Sequence, residues 1–311
     1  MDTFYDKDAA TELDVISNES CRALSARAQD SVVHMSDLQL ENIVVRETNL
    51  GRKNWKFCVV GDDSDVNDEL VVRIQGMMTK NNLVPRNVQS CSPAKAQFLS
   101  QNIEICGGDS PTFAECIAKI ASVHDRFEQQ LAGVDVVPMA DGVDNRRDLF
   151  AASNRIFTLK SDVPNEQDNT FQDGVDSSGL LHKLKRSDYI HAPENIVQYF
   201  RKKTPSGEGT VYVPFFPGGF KVGDLVELQV SFVAVAVTLS KVKVTTRLQV
   251  VTLLSSKWSN AATMARAAAA VKRIGQPAIR KRVGYYTEDE DEARKFKKSR
   301  TGSPAEDETM Q

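Results

Sequence analysis

The sequence lacks the short motifs on which most enzyme sites are built. It has no G-x-G-x-x-G and no G-x-x-x-x-G-K-[ST] for nucleotide phosphates, and no G-x-S-x-G around a nucleophilic serine. The cysteines form no C-x-x-C pair, so we expect free and mostly buried thiols rather than disulfides or structural zinc. We therefore predict a protein that is not an enzyme and has no cofactor and no metal site. The five cysteines are Cys21, Cys58, Cys91, Cys106 and Cys116.

Three weaker candidates for chemistry lack the partners that they would need. Gly-Asp-Asp at 61–63 follows a hydrophobic strand, as in the metal-binding hairpin of viral RNA polymerases, but a polymerase palm needs further carboxylates and several hundred residues. We interpret it as a solvated acidic turn. His182, Asp188 and His191 form a metal or acid–base site only if a third ligand joins them, and none is evident. His124 is interpreted as a histidine at a helix surface or core edge.

Long hydrophobic runs and a signal peptide are also missing. The longest apolar-rich run, 230–239, has about half the length of a membrane span. The chain starts with the acidic stretch MDTFYDKDAATELD, where a signal peptide requires a basic and then an apolar segment. We expect a soluble intracellular protein that does not contact a membrane.

Charge is distributed unevenly, although the net charge is only −3. Residues 61–69 are acidic, whereas residues 272–300 contain ten Lys or Arg against five Asp or Glu. Composition and pattern predict five parts. They are a flexible N-terminus that is either a frayed helix or disordered (1–30), a mixed α/β region (31–140), a polar linker or loop (141–180), a β-rich domain with a C-terminal Ala-rich helix (181–275) and a disordered charged tail (276–311).

Two helices are predicted in the first half. The first covers DELVVRIQGMMTKNN at 68–82. The second starts at Ser110 as N-cap, with Pro111 at the first helical position, and ends at Gly133. Its apolar residues recur at helical spacing on one face.

The stretch VGDLVELQVSFVAVAVTLSKVKVTTRLQVVTLL at 222–254 predicts two long paired strands. The apolar phase shifts by one residue after Phe232, which indicates either a β-bulge there or burial of the far half on both sides. A long strand that bends suits a small antiparallel barrel or curved sheet, of which an OB-like barrel is one form. The predicted fold class is therefore α+β, with a β-rich C-terminal domain and a mixed α/β N-terminal region.

Basic side chains alternate along the second of these strands. Lys241, Lys243 and Arg247 share one face, which is either a nucleic-acid-binding surface or the ordinary wet side of a sheet. Two basic clusters follow, and each is either a phosphate-binding or nuclear-import segment or a solvated tail. The first comprises Lys272, Arg273, Arg280, Lys281 and Arg282, and the second Arg294, Lys295, Lys297, Lys298 and Arg300. Aromatic residues that could stack on bases are few: Tyr212, Phe215, Phe216, Phe220 and Trp258.

Four segments carry a resemblance to a known family. YIHAPENIVQYF (189–200), VGDLVELQVSFVAV (222–235), RLQVVTLLSSKWSNAATMAR (247–266) and KRVGYYTEDEDEAR (281–294) resemble an uncharacterised, multi-copy protein family of mushroom-forming fungi that is associated with mobile-element-rich regions. The similarity covers about residues 180–295. The family's second strand is rich in Lys and Met and contains Arg and Ser, whereas here it is KVKVTTRLQVV. The family has no assigned activity, so the resemblance implies a lineage-restricted domain and no mechanism.

These observations together predict a non-enzymatic, nuclear protein that binds DNA or RNA weakly, with single strands favoured, through the basic strand face and the basic tail. Two alternatives stay open. One is an interaction or structural module that binds a protein partner, and the other is a mobile-element-derived protein without a selected activity.

Overall fold

The computed structural model describes most of the chain and shows an α+β protein in which strands predominate. The described residues are 8–25, 32–41, 43–48, 54–60, 67–84, 93–137, 149–204 and 210–274. The chain divides into two units, Met1–Arg266 and Ala267–Gln311, and the second is described only over residues 267–274. No helix in the described part is long and apolar enough to cross a membrane.

The described elements include four α-helices and fourteen strands. The α-helices are α1 (Asp8–Ser25), α2 (Pro111–Gln130), α3 (Leu180–Leu184) and α4 (Lys257–Ile274). The strands are β1 (Val32–His34), β2 (Ile43–Thr48), β3 (Asn54–Val60), β4 (Asn67–Glu69), β5 (Val71–Asn82), β6 (Ser100–Cys106), β7 (Asp135–Val137), β8 (Leu149–Arg155), β9 (Thr158–Leu159), β10 (Tyr189–Ile190), β11 (Gln198–Lys203), β12 (Val211–Pro214), β13 (Leu225–Ala236) and β14 (Lys241–Ser255).

Twelve strands form one mixed sheet, and β9 and β10 form a separate antiparallel pair. The sheet order is β12-β11-β14-β8-β6-β5-β13-β3-β2, with β1 beside β5, β4 beside β3 and β7 beside β14. Strand β13 pairs with β5 and β3. The ranges 31–140 and 181–275 are predicted as separate regions, but both contribute strands to the same sheet, and these strands all lie in the unit Met1–Arg266.

The β13–β14 hairpin holds the sheet together. It pairs from Leu225–Ser255 to Ala236–Val242, and its outer edges pair with β5 on one side and β8 on the other. Because β5 also pairs with β6, and β6 with β8, the pairings return to their starting point after five strands. The pairing that closes this cycle is short, because β8 and β14 run parallel and pair at Ser153–Arg247.

Burial on both faces accounts for the phase shift along β13, whereas the nearby bulge lies in β14 and does not change the direction of β13 side chains. Gln229 pairs with Val250 and Val230 with Leu248, so Gln249 on β14 is the extra residue of a bulge. The irregularity thus lies on the partner strand, a few residues from the expected place at Phe232. Residues 230–234 are all buried, so this part of β13 contacts other residues on both faces.

Three phenylalanines from separate elements form the centre of the core. The rings of Phe57 on β3 and Phe127 on α2 stack at a centroid distance of 4.1 Å, and Phe232 on β13 lies 6.2 Å from Phe57. The α2 prediction is confirmed, since Ser110 Oγ accepts a hydrogen bond from Phe113 N at 3.2 Å as an N-cap. The amphipathic α2 thereby packs its apolar face on the sheet.

The predicted helix at 68–82 is wrong, because this segment contains β4's last residues and the strand β5. Residues 74–78 are all buried, since β5 pairs with β13 and β6 along its two edges. A strand that is buried on both faces shows no alternation to distinguish it from a buried helix. Gly76 permits the close approach to β6, because a Cβ there would lie 2.9 Å from the Ile105 side chain.

The predicted linker at 141–180 is in part a core strand. Within it, β8 pairs with β6 over seven residues, and Phe150, Ala152 and Asn154 are buried. The alternation in LFAASNR is carried by small and polar residues, which do not differ enough in hydropathy to predict a strand. In the predicted flexible N-terminus, residues 8–25 form α1, which buries Leu13 completely.

Candidate nucleic-acid interface

The polar face of β14 is exposed near the hairpin turn and becomes buried further along. Lys241 and Lys243 are exposed, Arg247 is half-buried, and the intervening Val242 and Val244 are buried. The predicted alternation is therefore present. The three basic residues nevertheless have different surroundings.

Lys243 and Arg247 line a cleft of about 610 Å³. Its walls come from the ends of β13 and β14, from β8, from the loop before β6 and from the turns around residues 158–163 and 194–195. Among the described residues, three cationic side chains (Arg155, Lys243, Arg247) and two carboxylates (Asp162, Glu194) line it, which gives this part of the lining a formal charge of +1. The cleft is thus weakly cationic.

Arg247 is held by a carboxylate inside the cleft. Its NH1 lies 2.7 Å from Glu194 Oε2, and the two side chains are 17% and 24% exposed. The backbone oxygen of Glu194 accepts a hydrogen bond from Asn154 Nδ2 at 2.8 Å, and the same amide donates to Leu248 O at 2.9 Å. Asn154 therefore ties β8 and the turn at Glu194 to β14, which fixes Arg247 in the wall of the cleft.

Beyond Arg247, the polar face of β14 enters a half-buried hydrogen-bonded cluster. Gln249 Nε2 donates to Ser231 Oγ at 3.0 Å and to Glu69 Oε1 at 3.4 Å, and Lys56 Nζ lies 2.8 Å from Glu69 Oε2. Burial by itself raises the pKa of Glu69, but attraction to Lys56, the hydrogen bonds and the nearby Arg247 outweigh it and lower that pKa. Glu69 is therefore ionised and balances charge beneath this end of the strand.

Lys241 lies outside the cleft lining. Its Nζ is 3.4 Å from Asp135 Oδ2, and both side chains are more than half exposed. Exposed pairs of this kind contribute about 0–1 kcal/mol to stability. Lys241 is therefore a solvated side chain at the start of the strand.

Phe98 gives the cleft an aromatic surface that the sequence analysis did not predict. It lines the cleft and is 76% exposed. The aromatic residues that were predicted as stacking platforms lie elsewhere in the described part of the chain: Phe220 and Trp258 are buried, Arg201 covers Phe215 at 4.3 Å, and neither Tyr212 nor Phe216 lines the cleft. The composition gave no signal for Phe98, because a single Phe in a short loop is unremarkable in a sequence.

Asn54 presents an unsatisfied acceptor at the same cleft. Its Oδ1 is buried and has no hydrogen-bond partner in the described part of the chain, although the residue lines the cavity. A buried polar atom without a partner costs about 1–3 kcal/mol. A donor from a bound molecule would remove this cost.

The basic tail is largely outside the described residues. Lys272 and Arg273 belong to the last turns of α4, but the positions of their side chains are not described. The remaining predicted tail residues all follow residue 274: Arg280, Lys281, Arg282, Arg294, Lys295, Lys297, Lys298 and Arg300. The Gly-Asp-Asp turn at 61–63 and Cys91 also lie outside the described residues.

The structure does not form a common site from His182, Asp188 and His191. His182 is exposed on α3, and Asp188 is engaged by the Arg186 guanidinium at 3.0 Å. His191 is buried, packs on the Phe171 ring at 4.5 Å and donates from Nδ1 to Ile156 O at 2.8 Å. Burial lowers the pKa of His191, so the ring is a neutral core histidine.

Two further groups with reactive side chains have structural surroundings. His124, Asp125 and Glu128 bring ligand atoms within 4.8 Å of one another on α2, but His124 Nε2 already donates to Val136 O at 3.1 Å and both carboxylates are exposed. The described cysteines are free thiols. Burial raises the pKa of Cys116 to about 12, so this thiol is a poor nucleophile and a poor metal ligand.

Comparison with known proteins gives no further assignment. No protein-family model matches the chain, and no curated protein matches it. The geometry of the cleft is therefore the basis for a functional proposal.

Proposed function

We propose that this protein is a non-enzymatic nucleic-acid-binding protein that holds single strands in the cleft between β8 and the β13–β14 hairpin. One observation carries the proposal: exposed Phe98 and the cationic Arg155 and Lys243 line a single cavity of about 610 Å³. Proteins that bind single strands combine a cationic groove with aromatic side chains on which bases stack.

The position of the cleft on the fold supports this proposal. We interpret the five-strand cycle as the small, OB-like barrel, in which β5, β6, β8, β13 and β14 are the first to fifth strands in chain order. OB folds bind oligonucleotides on the face of strands 2 and 3 and in the loops that join strands 1–2 and 4–5. The cleft is lined from these places: Phe98 precedes β6, Arg155 ends β8, and Val237 begins the β13–β14 turn.

The side chains suggest separate roles in binding. Lys243 and Arg155 are exposed and contact backbone phosphates, whereas Arg247, already paired with Glu194, shapes the wall. Phe98 stacks on a base, an interaction worth about 1–3 kcal/mol per base. The free Oδ1 of Asn54 accepts a hydrogen bond from a base N–H. A duplex does not present an unstacked base to Phe98, so single strands are favoured.

Fluorescence anisotropy with labelled single- and double-stranded oligonucleotides tests this function. We expect micromolar, salt-sensitive binding to single strands that weakens in Phe98→Ala and Lys243→Ala. Lys241→Ala is the matched control, because Lys241 lies on the same strand face outside the cleft. Absence of binding at low salt, or equal effects of the two lysine variants, would refute the cleft as the binding site.

The tail and the cellular location belong to the same proposal. The basic clusters from Lys272 to Arg282 and from Arg294 to Arg300 supply further phosphate contacts and a nuclear-import signal. Deletion of residues 276–311 is then expected to abolish nuclear accumulation of a fluorescent fusion. We also propose that this protein is descended from the protein family of mushroom-forming fungi that the segments within 180–295 resemble.

A protein partner is the second candidate, and edge strand β12 favours it. Val211 and Tyr212 on β12 and the nearby Phe216 are 45–55% exposed, and β12 ends the described sheet order. Edge strands with apolar side chains can pair with another chain. Binding of this kind is insensitive to salt, in contrast to phosphate contacts.

A further inference from the structure

A second cavity, of about 390 Å³, lies between α1 and the sheet, and none of its described lining residues lines the cleft. Helix α1 contributes Ile16, Glu19, Ser20 and Ala23, which have the spacing of one helix face. The sheet contributes side chains from five neighbouring strands, β5, β13, β14, β11 and β12. These side chains are Arg73, Glu227, Leu254, Lys202 and Tyr212.

A buried hydrogen-bond chain fixes the carboxylate at the base of this cavity. Glu227 is 3% exposed, and its Oε2 accepts from Gln75 Nε2 at 2.7 Å and from Ser20 Oγ at 3.2 Å. Gln75 Oε1 in turn accepts from His34 Nε2 at 2.6 Å, and Ser36 N donates to His34 Nδ1. Every member of the chain has a partner, so the Glu227 carboxylate is held in one orientation.

Arg73 is less well satisfied than the carboxylate beside it. Its NH1 lies 3.7 Å from Glu227 Oε1, which is an ion-pair distance and too long for a good hydrogen bond. Its Nε is buried and has no hydrogen-bond partner among the residues that the structure describes. Since a guanidinium has five N–H donors, Arg73 offers donors to an acceptor inside the cavity.

The remaining lining defines the chemistry of that acceptor. Lys202 adds a second cation, and Ile16, Ala23 and Leu254 form an apolar wall. The charges of the described lining residues, Arg73 and Lys202 against Glu19 and Glu227, sum to zero. A monoanion therefore costs less electrostatic repulsion than a phosphate dianion, and a carboxylate matches the planar fork of an arginine.

We propose that this cavity binds a small organic carboxylate with an apolar body, held by Arg73 and Lys202 and packed against Ile16 and Leu254. The carboxylate of the ligand accepts hydrogen bonds from the Arg73 N–H groups that do not bind Glu227. The site is independent of the nucleic-acid cleft, so each can be present without the other.

The proposal is tested by titrating the full-length protein with 4-methylpentanoate and, separately, with its uncharged amide. Binding is followed by NMR spectra that resolve the backbone N–H resonances of the protein. We expect the carboxylate to shift resonances of residues 16–23, 202 and 210–212, and the amide to leave them unchanged. Lys202→Ala is expected to weaken carboxylate binding about tenfold, the effect of one charge-assisted hydrogen bond. Lys203→Ala, the exposed neighbour on the same strand, is the control and keeps the affinity within about twofold.

Three outcomes would overturn the site: no shifts at tens of millimolar, equal binding of acid and amide, or equal losses in the two lysine variants. Oligonucleotide binding by Lys202→Ala is expected to match the unmodified protein. That measurement separates failure of this site from failure of the cleft.

Discussion

Neutralisation of Glu194 is expected to strengthen nucleic-acid binding, because the negative charge of this carboxylate opposes the binding of phosphates in the unmodified protein. The Glu194 side chain pairs with Arg247 at 2.7 Å inside the cleft. The backbone oxygen of Glu194 accepts a hydrogen bond from Asn154 Nδ2, and this bond does not depend on the charge of the Glu194 side chain. Glu194→Gln therefore keeps the shape of the turn and raises the formal charge of the described lining residues from +1 (three cations, two carboxylates) to +2.

The magnitude follows from counterion release. One additional phosphate contact steepens the salt dependence of single-strand binding by about 0.7 in log K against log salt. The salt concentration rises fourfold between 50 and 200 mM. The additional slope of about 0.7 therefore makes the loss of affinity about 2.6 times larger in the variant than in the unmodified protein. At 50 mM we therefore expect tighter binding by the variant. Loss of this mostly buried pair is expected to lower the free energy of unfolding by about 1 kcal/mol.

Anisotropy titrations at four salt concentrations measure the slope directly. Glu104→Gln is the matched control, because it removes the same charge from the Lys80–Glu104 pair outside the cleft lining. A slope for Glu194→Gln that equals the control, or an affinity below that of the unmodified protein at 50 mM, would show that Arg247 is not a latent phosphate ligand.

Three predictions concern the framework. Phe57→Ala removes the ring stacked on Phe127 and is expected to lower the free energy of unfolding by about 3–5 kcal/mol in urea titrations; a loss below about 1 kcal/mol would contradict the central packing. The pKa of His191 is lowered by burial, so the folded state favours the neutral ring and stability falls as pH drops below about 6.5. The urea midpoint is then lower at pH 5.5 than at pH 7.5, with a smaller difference in His191→Gln. Cys116 is expected to react with iodoacetamide only after unfolding, because burial raises its pKa to about 12; rapid labelling of the native protein, located by peptide mass spectrometry, would refute this.

Elements with a strong local pattern were predictable from sequence. The capped amphipathic α2 and the alternating β13 and β14 depend on side-chain periodicity within one segment, and they are present in the structure. The common face of Lys243 and Arg247 follows from the same periodicity. By contrast, β5 was mistaken for a helix and β8 for a linker, because central burial in one and small residues in the other remove the period-two signal.

The cleft could not be predicted, because its parts meet only through long-range pairing. Phe98, Arg155 and Glu194 are separated from Lys243 by 49 to 145 positions in the chain, and no local pattern connects them. The parallel contact between β8 and β14 brings Arg155 next to the basic strand. Glu194 is the clearest example, since the sequence marks Arg247 as a free cation and the structure supplies its counter-ion.

The polar residues of the hairpin show why alternation alone does not define a binding surface. Glu227 and Ser231 alternate with apolar residues just as Lys241 and Lys243 do, yet both are buried. The difference lies in what covers each part of the strands: Ser20 of α1 reaches Glu227, whereas both lysines stay exposed near the turn. The Glu227 carboxylate is satisfied by Gln75, Ser20 and the nearby Arg73, whereas Lys241 and Lys243 keep their ammonium groups in water. The elements that cover a polar residue, more than its period, therefore decide which half of a hairpin is available to a ligand.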